Sequence, residues 1–555
     1  MAAAAPPLSS RWLHGPVSDI ALGTGLLYVP VFAALALSGT SVPAVFLPLI
    51  ALAFSTPHLG ATLLRVYETP ESRRAYHFFA VWGTLVIAAT FLVGLHAYIV
   101  GSILVTFYLT IVPWHFTGQN YGIALIFLRR CGLEVAPALK RYIYASFLLP
   151  YMLWILALHG DQPGTAEYAP LWTAGTVYRF LSVGIPGSVQ GPAVMGVAIA
   201  YVWVVAECIV RLLKLGSLRD VLPTLALMTT QSLWFAAPIL SRIWIAAEDM
   251  GPLAPGIAGY TFLWISTLHG VQYLWITTYY ARRQRPGMRT PSYLLKALLA
   301  GSAIYGFPLL LLAPGALGRL PYDSGLYLMV AGALNVHHIM LDGVIWKLRH
   351  TRIANVLIRG AEATPVAAAT PRRSWIRPWI WASGAVSVAL TLAATAENEF
   401  GVRPALKMGD LERLEIAADR LKWMGRDDGE MRSRLGAMLL ERGDAAGAVR
   451  ELERSLALRP SAIAWLNLGV EHERAGRVGE ALEAYEAALV LDPDDVTSLY
   501  YAGRASLRTG RVHRARELLG RAAKLEPERD DIRRSLDAAL VRRPPSAAAP
   551  DDRKG

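Results

Sequence analysis

Apolar runs long enough to cross a hydrocarbon core recur along the first 396 residues and then stop. After residue 403 the chain turns rich in Ala, Leu, Glu and Arg. The pattern predicts an all-α protein: a polytopic transmembrane helix bundle over 1–398, a C-terminal helical-repeat α-solenoid over 404–542, and a disordered tail over 543–555. About eleven spans are expected, at 19–38, 42–66, 77–98, 100–128, 142–160, 191–211, 220–241, 257–281, 294–316, 324–346 and 376–396. The fourth is long, and Pro113 or Gly118 is the place for a break. The segment Tyr178 to Val189 reads as a re-entrant or interfacial piece.

Orientation follows from the basic residues. Alternate connections carry 23 Lys and Arg on one side and three (Arg179, Arg242, Arg319) on the other. Positive residues are retained on the cytoplasmic side, so the N-terminus is expected there. An odd number of spans then sends the repeats to the exoplasmic, periplasmic face of a bacterial inner membrane. Composition agrees with a lipid-embedded chain: 54% of the 555 residues are hydrophobic and 17% charged. The net charge of +12 is absorbed by the same asymmetry, and no nucleic-acid partner is expected. Met1 to Ser10 lacks a cleavable signal pattern, so the first span is read as an anchor. Cys131 and Cys208 form neither a disulfide framework nor a zinc motif.

A repeat of 33 to 34 residues runs through the C-terminal part. Gly436, Gly469 and Gly503 recur in register with Gly443, Gly476 and Gly510, with Ala448, Ala481 and Ala515, and with Pro460, Pro493 and Pro527. The stretch from Ala462, with Trp465, Leu466, Gly469, Ala481, Tyr485 and Pro493 in pattern positions, resembles the tetratricopeptide repeat consensus over about 430–530. A capping helix is expected from Asp531 and a degenerate helix pair upstream at 408–427. The resemblance implies a short right-handed superhelix whose groove binds a protein segment. The competing reading is a cap on the membrane domain or a self-association surface.

Candidate chemistry lies in histidines that the topology places at one depth. His58, His115, His269 and the pair His337–His338 fall on the second, fourth, eighth and tenth spans, in the cytoplasmic half, and His14 and His77 sit at the rim. Asp342 follows His338 by four residues and so shares its helix face. Ionisable groups in a bilayer are costly and mark function by default. Imidazoles mixed with a carboxylate suit iron, with zinc or manganese as alternatives. Gln119, Asn120, Gln272 and Tyr273 are expected to orient rings or contact substrate. Glu207 is expected to pair with Arg211 one turn away.

In this cytoplasmic-side histidine set the chain is similar to membrane desaturases and hydroxylases. It differs from them in spacing, having no HxxxH or HxxHH box. The resemblance implies a membrane metal-dependent oxidoreductase acting on a lipid-like, apolar substrate. The alternatives are a proton- or metal-coupled transporter, and a membrane scaffold or assembly factor working through the repeats.

Overall fold

The computed structural model describes residues 11–31, 47–68, 70–160, 178–236, 255–314, 317–318, 325–347, 351–360 and 376–542. Among these residues every regular element is helical, and β structure is limited to two isolated bridges, Gly160 with Ile185 and Pro314 with Gly318. The chain divides into two compact units, Met1–Arg319 with Gly325–Thr395, and Leu320–Ser324 with Ala396–Gly555.

The first unit is built from α1 (Thr56–Tyr67), α2 (Thr84–Gly94), α3 (Tyr98–Arg130), α4 (Pro137–Leu158), α5 (Gly187–Leu215), α6 (Leu218–Gln231), α7 (Pro255–Gln284), α8 (Thr290–Leu311), α9 (Tyr327–Ile345) and α10 (Ile376–Glu397). By length and composition, seven helical stretches among the described residues can cross a membrane: Pro48–Tyr67, α3, α4, α5, α8, α9 and Arg377–Met408. Phe78–Gly94 is a shorter apolar helix. Of the other expected spans, 19–38 and 220–241 lie partly outside the described residues, and 257–281 falls inside α7. The exterior of several helices is apolar. Phe78, Trp82, Leu85, Val86 and Leu92 are exposed along 78–94, and Ile199, Val202, Trp203 and Leu213 along α5.

One expectation changes. No break interrupts α3, which runs unbroken for 33 residues through Pro113 and Gly118. A proline deletes one backbone N–H and leaves the bonds on either side intact, and buried residues before and after Pro113 hold α3 in its packing across the gap. The Thr117 hydroxyl donates to the Pro113 carbonyl at 2.9 Å. The segment from Tyr178 to Pro186 is irregular apart from the Ile185 bridge to Gly160, and α5 begins at Gly187. It is pinned in place by the Tyr178 hydroxyl, which donates to the Gly94 carbonyl at 3.0 Å, and by the Val183 N–H on Nδ1 of His159 at 3.3 Å.

Helix α1 meets α8 backbone to backbone. A Cβ on Gly60 would stand 1.8 Å from the Ala297 carbonyl oxygen, and one on Gly301 would stand 1.7 Å from that of Thr56. Only glycine permits such an approach. The contact fixes the helix that carries His58. At one end of the unit the buried guanidinium of Arg130 donates to the carbonyls of Trp12 at 2.8 Å and Leu357 at 3.0 Å, and Arg11 pairs with Asp220. Glu207 and Arg211 pair at 2.5 Å, as their spacing suggests.

In the second unit a single upstream helix, α11 (Leu411–Trp423), stands where a degenerate pair was expected, preceded by the short turn of helix Arg403–Met408. Three helix pairs follow: α12 (Gly429–Arg442) with α13 (Ala445–Leu458), α14 (Ala462–Arg474) with α15 (Val478–Leu491), and α16 (Val496–Arg508) with α17 (Val512–Leu525), closed by α18 (Asp530–Val541). Gly443, Gly476 and Gly510 turn the chain inside each pair with φ of 86°, 76° and 77°. Gly436, Gly469 and Gly503 let the paired helices touch, since a Cβ there would lie 2.8, 2.5 and 2.6 Å from Leu452, Tyr485 and Leu519. Ala448, Ala481 and Ala515 are fully buried on the partner helices. Asp428, Asp444, Ser461 and Asp495 cap four of the helices by accepting from the N–H three residues on.

Candidate metal centre

Three helices of the first unit repeat one local pattern: a histidine followed, one turn later, by a hydrogen-bonding side chain. The pairs are His58 and Thr62 on α1, His269 and Tyr273 on α7, and His338 and Asp342 on α9. Residues four apart share a helix face, so the three helices together build two stacked layers. His115 from α3 completes the histidine layer. The ring centroids form a closed circuit: His58 to His338 at 4.1 Å, His338 to His115 at 5.1 Å, His115 to His269 at 5.1 Å, and His269 to His58 at 4.9 Å. Phe116 lies against His269, 4.1 Å between centroids, and walls one side.

The second layer is tightly hydrogen-bonded. Thr62 Oγ1 lies 2.6 Å from the Tyr273 hydroxyl, 2.9 Å from Nδ1 of His338 and 3.1 Å from Oδ1 of Asp342. Tyr273 donates to Oδ1 of Asp342 at 2.7 Å, and Trp346 Nε1 donates to the Tyr273 oxygen at 3.2 Å. The other carboxylate oxygen turns to the histidines, with Oδ2 of Asp342 3.5 Å from Nε2 of His338 and 3.8 Å from Nε2 of His115.

Against that saturated layer the histidine layer is starved of partners. Nε2 of His58, His115 and His338, both nitrogens of His269 and Oδ2 of Asp342 are buried with no hydrogen-bond partner among the described residues. Each such buried group left unpaired costs about 1–3 kcal/mol. A bound ion would satisfy one such atom from each residue and leave the second nitrogen of His269 over. One donor atom from each of His58, His269 and His338 lies within 4.8 Å of the others, and the same holds for His115, His338 and Asp342. Donors on opposite sides of a transition ion stand roughly 4.2 Å apart at bond lengths of about 2.1 Å, so each of these two triads is of a size to hold an ion.

The remaining residues singled out in the sequence lie elsewhere. His337, adjacent to His338 and so turned about 100° away on the helix, places Nε2 2.9 Å from Thr84 Oγ1 and 3.4 Å from the Tyr67 hydroxyl. His14 is exposed, with Nε2 3.0 Å from the Trp275 carbonyl, and His77 is exposed ahead of the turn Phe78–Gly83. Gln119, Asn120 and Gln272 make an amide chain of their own. Gln119 donates to Gln272 at 2.7 Å, Gln272 to Asn120 at 3.0 Å and to the Gly23 carbonyl at 2.9 Å, and Asn120 to Gln231 at 2.9 Å. These amides satisfy one another and brace α3, α6 and α7. Asp342 makes no ion pair with Arg65 or Lys347 among the described residues; the Arg65 guanidinium lies over the rings of Tyr280 and Trp346. Thr62 is the residue that sequence reasoning missed, and its position one turn after His58 was the available signal.

Comparison with known proteins bears on the second unit. A family model described as tetratricopeptide repeat matches residues 433–496 and 466–531. The C-terminal region is a set of tetratricopeptide repeats. Solved structures similar to this part of the chain include MamA protein, 20% identical over 26% of this chain and 80% of that one with a TM-score of 0.25. Another is YrrB, described as a TPR protein with an unusual peptide-binding site, 19% identical over 29% and 81% with a TM-score of 0.24. A third is a MamA fragment from Desulfovibrio magneticus RS-1, 25% identical over 27% and 84% with a TM-score of 0.23. No curated protein matches the chain. Tetratricopeptide repeats are protein-interaction modules, and that much of the function follows from the match.

Proposed function

We propose that the chain is an integral membrane metalloprotein, with a transition-metal centre at His58, His115, His269, His338 and Asp342, that acts as a metal-dependent oxidoreductase on a lipid-like, apolar substrate. The observation that carries the reading is the set of unpartnered buried nitrogens and carboxylate oxygen on residues that four helices bring into two triads sharing His338. Neutral imidazoles and one carboxylate suit iron, with manganese or zinc as alternatives. A bound redox ion of that kind supplies one-electron chemistry toward C–H or C=C bonds. The chain's own residues hold and orient the donors: Thr62 and Tyr273 anchor Asp342, and Thr62 anchors His338.

The apolar exterior, the seven stretches of spanning length and the 23-to-3 distribution of basic residues support a membrane setting with the N-terminus in the cytoplasm. In that topology the tetratricopeptide repeats lie on the exoplasmic side and bind a protein partner in their groove.

Elemental analysis of the detergent-purified protein tests the metal. The wild type and the His337→Ala variant are expected to retain it, and His338→Ala to lose it. If the wild type holds no iron, manganese or zinc and takes up none on reconstitution, the metalloprotein reading fails. A membrane scaffold acting through the repeats is then the better account.

A further inference from the structure

We propose that a cavity between the N-terminal segment, the C-terminal end of α3 and the start of α6 holds one acyl chain of an anionic phospholipid, whose phosphate is taken by Arg219 and Arg11. The site is separate from the metal centre and rests only on the membrane setting proposed above.

The cavity has a volume of about 310 Å³, within the range of small-molecule sites. Its walls are apolar, formed by Trp12 and Ile20 from the N-terminal segment, Phe127 from α3 and Leu222 from α6. Trp12 stands edge-on to Phe127, with ring centroids 6.3 Å apart. Two contacts hold the three walls together. Arg130, on the last turn of α3, donates to the Trp12 carbonyl at 2.8 Å, and Arg11 pairs with Asp220 of α6. No residue of the candidate metal centre lines this cavity. Phe127 lies beyond His115 on α3, roughly 18 Å further along the axis by helix rise.

The charges select the occupant. Arg11 has one terminal nitrogen on Asp220, and its Nε is buried with no hydrogen-bond partner among the described residues. Asp220 also accepts from the Ser217 hydroxyl at 2.5 Å, so this acid is already engaged. Arg219 lines the cavity, is exposed, and makes no ion pair among the described residues. Two guanidiniums thus face one paired carboxylate above an apolar hollow, and the complement is an anion on an apolar tail. A free phosphate would leave the hollow unfilled, and a zwitterionic lipid would leave Arg219 unmatched. Val17 and Leu218, beside the lining residues Pro16 and Arg219, are exposed, as is Leu222. Such a rim suits a mouth that opens to lipid. The distribution of basic residues puts these helix ends at the cytoplasmic face, where basic pockets between spanning helices bind anionic headgroups.

The full-length protein in detergent, given dioleoyl phosphatidylglycerol or dioleoyl phosphatidylcholine, tests this. Native mass spectrometry reads the retained lipid, and maleimide labelling reads Cys131, which lines the cavity. One phosphatidylglycerol per chain is expected, held at least fivefold more tightly than phosphatidylcholine, with slower labelling of Cys131. Arg219→Gln should abolish the preference, and Leu222→Trp, which fills the hollow, should lose the retained lipid. Equal retention of the two lipids, an unchanged preference in Arg219→Gln, or equal protection of Cys131 by glycerol phosphate overturns the inference. Metal content measured on the same samples keeps the readings apart: metal without lipid selectivity sinks this inference alone, and lipid selectivity without metal sinks the metal centre alone. Recovery of the protein from the soluble fraction without detergent overturns the membrane setting and this inference with it.

Discussion

Thr62 and His338 lie 276 positions apart in the chain, yet the threonine oxygen stands 2.9 Å from Nδ1 of the imidazole. That single contact joins α1, which carries His58, to α9, which carries His338. It gives Nδ1 of the ring a partner, while Nε2 stays buried without one among the described residues.

Neighbouring histidines should behave oppositely. Replacing His338 by Ala removes a donor from the centre, and metal content measured by mass spectrometry should fall to background. Replacing His337 by Ala removes its contacts with Thr84 and Tyr67, costs on the order of 1 kcal/mol in stability, and should leave metal content unchanged.

The contact between α1 and α8 is expected to be intolerant. Gly301→Ala places a Cβ against the Thr56 carbonyl, two residues from His58, and the two helices must move apart. A loss of about 1–3 kcal/mol is expected from overpacking, read as a lower unfolding temperature in detergent, together with weaker metal retention.

In the repeats, Gly469→Leu drives a side chain into the Tyr485 ring, which would already lie 2.5 Å from a Cβ. Chemical denaturation of the repeat region should show destabilisation of about 1–3 kcal/mol. Metal content of the full-length protein should be unaffected, because the histidines belong to the other compact unit.

Alkaline pH should loosen the same repeat. Tyr485 is fully buried and donates to Glu473 at 3.0 Å; burial, and then the neighbouring Glu473 carboxylate, push its phenol above the usual tyrosine range. A group whose pKa is raised by folding stabilises the fold below its unfolded value, and that stability is lost as pH climbs toward the folded value. Denaturation midpoints of the repeat region are therefore expected to fall above about pH 10, with a shallower fall in Tyr485→Phe.

The membrane topology has its own test. A reporter fused after Arg377 should read cytoplasmic and one fused after Gly409 exoplasmic, flanking the stretch Arg377–Met408. Two fusions reporting the same side would remove this span and return the repeats to the cytoplasm.

Much of this arrangement is written locally in the chain. The 33-to-34-residue recurrence of Gly469 and its counterparts announces the helix pairs, because a missing side chain is needed wherever two helices touch. Equal depth along separate apolar runs selects His58, His115, His269 and His338, whose rings the fold then gathers. Helix rotation decides what depth cannot: His337 and His338 share a level but face different neighbours. The fate of Gln119, Asn120 and Gln272 depended on Gln231, an amide on a helix whose adjacency no sequence period reveals. Thr62 carries a local sign, its place one turn after His58, but a threonine in an apolar run ordinarily returns its hydroxyl to its own helix. Pro113 shows the opposite limit, where a strong local breaker yields to packing on both sides.

The closed circuit of rings also bears on how the protein is made. Its four members arrive from helices spread along the chain between Thr56 and Ile345, so no part of the nascent chain holds all four until α9 has been synthesised and docked. An ion seated there would be held by side chains from α1, α3, α7 and α9 at once. Occupancy would then be decided once, at assembly, by whichever metal the cell offers at that moment.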